Sequence, residues 1–406
     1  METRRLPTQP WMSDPATAAV LGALGAEGSE RRFVGGCVRD AVVGRPVKDI
    51  DIATADRPDR VIELLQRARI RVVPTGIAHG TVTAVVDGKP FEITTLRRDV
   101  EHYGRHAKVE FTDDWVADAS RRDLTFNAMS LTPEGELFDP FGGLADLAAG
   151  RVRFVGDPRQ RIEEDVLRLL RFFRFHAHYG KPPPDEAALA ACRELAPKLP
   201  GLSGERVQAE LLKLLAAPDP APVLVLMRDQ EILKHLLPEA SAIDRLAGLV
   251  RVEANPDPVR RLAALLVDGE GAARRVGERL KLSNADRERL LQLAGPADLA
   301  PALDPRQRRL QLYRLGQALY RDRIHLGWAV APKSEAEAWK QLLAIADQPI
   351  PEFPLKGRDA LDLGIEAGPE VGRLLAAIER WWIEGDFQAD RKACLKQLKA
   401  LAGRGG

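Results

Sequence analysis

The chain is expected to be an α+β protein: a small α/β head built on a mixed sheet, followed by an all-α neck, body and tail. Three observations predict this. Short apolar runs of period two crowd the first hundred residues, helical periodicity takes over from residue 161 onward, and proline-rich connectors at 181–185, 217–222 and 347–354 punctuate the helical part. At 406 residues with 45% hydrophobic content the chain can bury several cores, and its length suggests about two to four domains. The shifts in pattern divide it at 1–150, 151–216, 217–346 and 347–406.

In chain order, 13–24 reads as a helix with Ser13 as N-cap, Pro15 in its first turn and Val20, Leu21 and Leu24 apolar. Strand patterns follow at 33–35, 49–53, 69–73, 81–86 and 91–96, with a helix at 58–68 and a turn signal at Asp87-Gly88. Residues 97–118 are polar and charged, without clear periodicity, and read as a long loop. Helical patterns then recur at 163–178, 185–195, 204–216, 220–226, 258–265, 271–280, 285–293, 305–319, 334–346 and 371–382.

Composition narrows the function less than pattern does. The three cysteines are isolated, so neither a disulfide framework nor a zinc site is supported and a reducing, cytoplasmic setting is expected. No apolar run reaches the eighteen or so residues of a membrane span. The net charge is +1, yet seven arginines stand against four acids in 151–174 and six against two in 304–323. Such patches suit either a phosphate backbone or an ordinary solvated helix face. Tyr313 and Tyr320, seven apart among the second group, read as core residues before an RNA-stacking platform.

The densest chemistry lies in 33–52, FVGGCVRDAVVGRPVKDIDI. Asp49 and Asp51 alternate with Ile50 and Ile52, so a strand sends both carboxylates to one face. Mg²⁺ is usually held by one or two carboxylates together with substrate phosphates. Gly35 and Gly36 let the backbone approach a ligand, and 37–43 reads as a short helix with Val38 and Val42 inward and Arg39 on its first turn as a fixed cation. Glu92, on 91–96, is the natural third carboxylate, with an exposed edge-strand glutamate as the alternative.

This order of GG, VRD and DID resembles the signature of class II nucleotidyltransferases, the bacterial CCA-adding tRNA nucleotidyltransferases and their poly(A) polymerase relatives. RRDLTFNAM, 121–129, is similar to the family's second motif; it reads as a helix start on which Arg122 meets phosphate and Asp123 or Asn127 holds ribose. EDVLRLLRFFR, 164–174, resembles the family's EDxxR motif, with Asp165, Arg168, Arg171 and Arg174 drifting around one side of a helix. The resemblance implies that Asp165 and Arg168 pair with the Watson–Crick edge of the incoming C or A as a protein-made template, while Arg171 and Arg174 face the triphosphate or order that pair. LSGERVQAELLKLL, 202–215, resembles the motif that supports it, with Ser203 as N-cap and Arg206 near Glu210.

The implied function is template-independent addition and repair of the 3'-terminal CCA of tRNA from CTP and ATP. Asp49 and Asp51 would be metal ligands for Mg²⁺, Glu92 would assist, and the neck would select the base. The tail would hold the tRNA, engaging its 3' end and acceptor arm. The full-length segment at 97–118 corresponds to a loop needed for the terminal A and shortened in CC-only relatives. The alternatives are a poly(A) polymerase, an A-only enzyme, or a non-catalytic RNA-binding scaffold that kept the fold. His79 is expected to be structural in the head, and the absence of any His-Asp dipeptide speaks against the phosphohydrolase domain of some relatives.

Overall fold

The computed structural model describes residues 4–73, 76–77, 80–103, 106–267, 269–295 and 299–402, with backbone alone for 99–109. His79 and the side chains of His102 and His106 lie outside the described residues. The chain forms two compact units, 1–240 with 279–281, and 241–278 with 282–406.

Among the described residues the first unit carries ten strands: β1 (Arg4–Arg5), β2 (Arg31–Val34), β3 (Ile50–Thr54), β4 (Arg71–Val73), β5 (Thr81–Val86), β6 (Lys89–Thr95), β7 (Arg97–Tyr103), β8 (His106–Phe111), β9 (Ser130–Leu131) and β10 (Glu136–Phe138). Eight of them form a sheet in the order β1-β10-β9-β2-β3-β6-β5-β4. Only β3 and β6 run parallel, so the sheet is mixed as the sequence predicts. Phe33, Ile52, Ile93 and Val82 stand in register across four strands and are fully buried. Alternation places Val34, Ala53 and Asp51 on the opposite face, where Val34, Ala53 and Leu96 pack with Trp115.

Among the described residues the helices of this unit are α1 (Pro15–Leu24), α2 (Gly36–Val42), α3 (Pro58–Arg67), α4 (Trp115–Ser120), α5 (Gly143–Ala149), α6 (Pro158–Glu164), α7 (Leu167–Tyr179), α8 (Glu186–Leu195), α9 (Gly204–Leu215), α10 (Ala221–Asp229) and α11 (Leu233–Leu236). The cap of α1 is Asp14, not Ser13; its carboxylate accepts from Ala16 N. In α2, Val38 is buried while Val42 is half-exposed, and Cys37 and Ala41 fill the inner face instead.

The segment 97–118 is not the aperiodic loop expected. β7 and β8 pair as an antiparallel two-stranded arm with a register shift between Asp99 and Glu101, followed by α4. The arm stands outside the eight-stranded sheet. Its charged sequence carries no apolar alternation, so periodicity gave no strand signal there.

The second unit is helical. Its 24-residue helix Pro305–Trp328 breaks at Gly316, whose φ of 72° takes it out of the helical region. Tyr320 is wholly buried with Leu312, Ile324 and Trp339, and Tyr313 packs in a separate cluster with Trp382 and Phe387. Core packing therefore explains both tyrosines. Five of the six arginines in 304–323 bond to acceptors of the same unit: Arg306 to Glu384 O, Arg308 to Leu303 O, Arg309 to Asp386, Arg321 to Asp347 and Arg323 to Gln292 O. These side chains tie helices together.

A buried ion network holds this unit. Asp322 accepts from Arg260 Nη1 at 3.0 Å and from Arg289 Nη2 at 2.7 Å; Arg260 also reaches Glu253 at 2.7 Å, and Arg289 reaches Asp257 at 2.8 Å. Removing one partner leaves an uncompensated buried charge. Asp322→Ala is expected to destabilise the unit by about 3 kcal/mol; a shift below about 1 kcal/mol in urea unfolding, the level of an exposed pair, would show that the network relaxes.

Candidate active site

The site is built where the second sheet face meets the first turn of α2 and one side of α7. Gly35, at φ 71° and ψ −127°, turns the chain from β2 into α2. A Cβ there would lie 3.2 Å from Arg122 Nη1 and 3.6 Å from Asp51 Oδ2. Glycine is required for its backbone angle, and a methyl group there would in addition press on the Arg122 guanidinium. Gly35→Ala is expected to cost about 1–2 kcal/mol of strain and to displace Arg122. Its activity should fall at least tenfold with the fold retained, which circular dichroism beside a turnover assay would establish.

Asp51 lies on β3 directly opposite Glu92 of β6 in the parallel register. Its carboxyl is pushed up to about 6, first by burial and then by Glu92, with Asp49 adding to the effect and Arg122 opposing it. Glu92 is exposed, but β6 is flanked by β3 and β5, so the edge-strand alternative does not hold. Asp49 is exposed and sits just before β3. Among the described residues no three His, Cys, Asp or Glu side chains converge as a preformed metal cluster.

Arg122 and Asp123 follow α4, and the expected helix start is a single 3-10 turn, Thr125–Asn127. The predicted packing still holds, since Leu124 and Ala128 are buried. Asp123 accepts from Asn127 Nδ2 at 3.0 Å and from Arg171 Nε at 2.6 Å. Burial would raise the Asp123 carboxyl, but the Arg171 guanidinium and Asn127 hold it well below the usual carboxylate range. Asn127 Oδ1 in turn accepts from Arg39 Nη1 at 2.9 Å, Arg39 is forked onto Asp40, and Asp40 accepts from Tyr179 at 2.6 Å. A continuous polar chain thus leaves α7 at Arg171, crosses the head and returns to α7 at Tyr179.

Residues 163–178 do not form one helix. Asp165 separates α6 from α7 with an extended backbone, φ −153° and ψ 108°. Its Oδ1 accepts from Leu167 N at 3.1 Å, the competition with helix hydrogen bonding that aspartate offers. Asp165 and Arg168 both face the cleft but do not pair with each other. Asp165 Oδ2 accepts from Arg206 Nη2 at 2.7 Å, while Arg168 bonds to Glu164 and to Arg161 O. Glu210 is therefore not the partner of Arg206, as the four-residue spacing suggested. It is buried and ion-pairs Arg174 at 2.9 Å, with Arg171 at 3.7 Å. Ser203 caps α9 by position, without a side-chain hydrogen bond. Burial lowers the Arg174 guanidinium to about 10, against the pull of Glu210.

These elements line an open cleft of about 490 Å³ formed by Gly35, Gly36, Arg39, Asp51, Arg122, Asp123, Asn127, Asp165, Leu167, Arg168, Arg171, Arg174 and Phe175. Eleven of the thirteen sequence-predicted residues line it; Asp49 and Glu92 do not. The missed lining residues are Leu167 and Phe175; the Phe175 ring underlies Arg174 at 4.2 Å, Arg39 at 5.0 Å and Arg171 at 5.4 Å. Its position four after Arg171 on α7 was the available signal.

Residues 31–153 match the family described as Poly A polymerase head domain, and 184–243 match the one described as Probable RNA and SrmB- binding site of polymerase A. The human mitochondrial CCA tRNA nucleotidyltransferase 1 is 36% identical over 388 residues, covering 92% of this chain and 87% of that protein. The chain belongs to the CCA-adding tRNA nucleotidyltransferase family. The CCA-adding enzyme of Enterococcus faecalis is 30% identical over 96% of each chain. The Bacillus stearothermophilus CCA-adding enzyme in complex with CTP superposes with a TM-score of 0.79 at 27% identity, over 98% of this chain and 99% of that one. Nucleotidyl transfer in this family is metal-dependent. Among the described residues of this member no helix is long and apolar enough to cross a membrane.

Proposed function

We propose that this nucleotidyltransferase builds and repairs the 3'-terminal CCA of tRNA from CTP and ATP, without a nucleic-acid template. The observation that carries the reading is one cleft joining Asp51 and Arg122 of the head to Asp165 and Arg168 at the α6–α7 break. A transfer site and a base-reading pair share one volume, large enough for a nucleoside triphosphate.

In this reading Asp49 and Asp51 hold Mg²⁺, with Glu92 assisting across the parallel register. The fit is electrostatic: a buried carboxyl raised by its own burial and by neighbouring carboxylates is relieved by a cation, and substrate phosphates complete the ligand set. When bound, the metal supplies activation of the attacking hydroxyl and charge neutralisation at the triphosphate, in the manner of a two-metal site.

The chain's own residues do the rest. Gly35 and Gly36 admit the triphosphate close to the backbone, and Arg39 and Arg122 neutralise it. Asp123 and Asn127 hold the ribose, and Arg171 and Arg174 present further positive charge. The primer 3'-hydroxyl attacks the α-phosphorus in line and pyrophosphate leaves. Cytosine and adenine both offer an exocyclic amine beside a ring nitrogen acceptor, so one carboxylate and one guanidinium suit both and misfit uracil and guanine. The head (1–150) carries the chemistry, the neck (151–216) selects the base, and the body (217–346) and tail (347–406) grip the tRNA acceptor arm. The β7–β8 arm serves the final A addition. The buried, unpaired thiols of Cys37, Cys192 and Cys394 suit a reducing, cytoplasmic setting.

The test is incorporation on tRNA ending before CCA, after C and after CC, with each nucleoside triphosphate supplied singly and products sized to one nucleotide. C, C and A in turn are expected. A ladder of A residues would mark a poly(A) polymerase, A on the CC end alone would mark an A-only enzyme, and no extension would leave a binding scaffold.

A further inference from the structure

The two groups assigned to base reading are each already engaged in the protein, and by different partners. Arg168 is held by Glu164 and by the backbone carbonyl of Arg161 at 3.1 Å. Asp165 is held from another element, since Arg206 on α9 reaches its Oδ2 at 2.7 Å while the Leu167 amide takes Oδ1 at 3.1 Å. Arg206 does not line the cleft, and its side chain is only about a quarter exposed. Glu210, four residues further along α9, is committed to Arg174 and Arg171.

We propose that Arg206 is the positioning residue for nucleotide selection, fixing the plane and the charge of Asp165 from behind the cleft. The proposal rests on the reading of Asp165 and Arg168 as the base-selecting pair. Asp165 sits at a helix break, with extended backbone angles, so the helix ladder does not hold it. Two outside donors fix it, one per oxygen, and each oxygen keeps a lone pair for the amine of cytosine or adenine. Without Arg206 the carboxylate is free to rotate toward the cationic side of the cleft, where Arg168 and Arg171 lie. An Asp165–Arg168 pair formed there would satisfy both groups internally and leave neither fixed to read a base. Arg206 touches no substrate in this arrangement. Its effect is on the discrimination between bases, with the transfer chemistry at Asp51 left in place.

The decisive experiment compares the parent, Arg206→Met, Arg206→Lys, Asp165→Ala and the Asp165→Ala/Arg206→Met double variant. Single-turnover incorporation is measured with CTP, ATP, UTP and GTP on tRNA ending before CCA and after CC. Arg206→Met is expected to lower the preference for CTP over UTP, and for ATP over GTP, at least tenfold, mainly through weaker binding of the correct nucleotide. Lysine should restore part of it. In the Asp165→Ala background the second change should move selectivity less than twofold, because its target is gone. Unchanged selectivity in Arg206→Met overturns the proposal, and so does an equal loss with or without Asp165, which would place its action elsewhere. Should Arg206→Met not fold, Arg206→Gln, which removes the charge and keeps a polar side chain, decides: parent-like folding with parent-like selectivity and no change in the binding of CTP overturns it. Full selectivity in Asp165→Ala removes the underlying reading as well, and is thereby distinguished from a failure of Arg206 alone.

Discussion

Asp51→Asn is expected to abolish nucleotide incorporation while leaving tRNA binding intact, and to unfold at a higher temperature than the parent at pH 8 in the absence of metal. Both effects have one origin. Burial and the Glu92 and Asp49 carboxylates raise the Asp51 carboxyl from 3.8 to about 6 against the pull of Arg122. A group whose pKa is raised on folding destabilises the folded state once ionised. The penalty is absent below about pH 3.8, grows between there and about pH 6, and is complete above it. The gap corresponds to about 3 kcal/mol at most, and asparagine removes it. Incorporation by the parent should decline as pH falls below about 6, and added Mg²⁺ should shift the decline to lower pH, because cation and proton compete for the same oxygens. A variant that retains turnover, or melts below the parent, would refute the metal assignment.

Much of this site was legible because its groups are local. Gly35, Gly36, Arg39, Asp51, Arg122, Asp123 and Asn127 belong to two short stretches whose residue types have few structural uses at that spacing, and the structure brings both to one cleft. The mixed sheet was readable for a similar reason, since Phe33, Ile52, Val82 and Ile93 stand in short apolar runs on four separate strands, with Val82 and Ile93 each flanked by polar residues.

What sequence reading missed was partner choice across elements. Periodicity joined Arg206 to Glu210 and Asp165 to Arg168, four and three residues apart. The structure re-pairs them between α6, α7 and α9, because Asp165 breaks the helix that the spacing assumed. The arginine patch at 151–174, open between a phosphate surface and a solvated helix face, is likewise decided by partners on other elements. Its members meet carboxylates of this chain, Asp146, Glu194, Glu164, Asp123 and Glu210 among them, and do not form a free basic face. The β7–β8 arm escaped because its sequence is charged and lacks the hydrophobic alternation by which a half-buried strand is read.

Asp123→Asn is expected to combine a large loss of activity with a loss of stability, the reverse of the stability change at Asp51. Asp123 is buried and depressed well below the carboxylate range, because the Arg171 guanidinium and the Asn127 amide outweigh the burial that would raise it. Its contribution is therefore complete above its unfolded value near 3.8 and is lost as pH falls toward the folded value. Asparagine keeps the shape but removes the charge and turns either a second donor group or a weaker acceptor toward Arg171. Breaking such a buried pair costs about 3–5 kcal/mol. The difference in unfolding free energy between parent and variant should be full at pH 7 and shrink below about pH 4, whereas a loss of packing alone would be independent of pH. The damage extends along the polar chain, since Asn127 relays Asp123 to Arg39, and Arg39 through Asp40 to Tyr179. Freeing Arg171 at one end and Arg39 at the other should lower kcat/KM for CTP and ATP alike by about a hundredfold or more, the scale of losing one preorganised donor at a developing charge. Equal losses for the two nucleotides are the signature of phosphate and ribose positioning. A loss confined to one of them would move Asp123 from holding the nucleotide to reading its base.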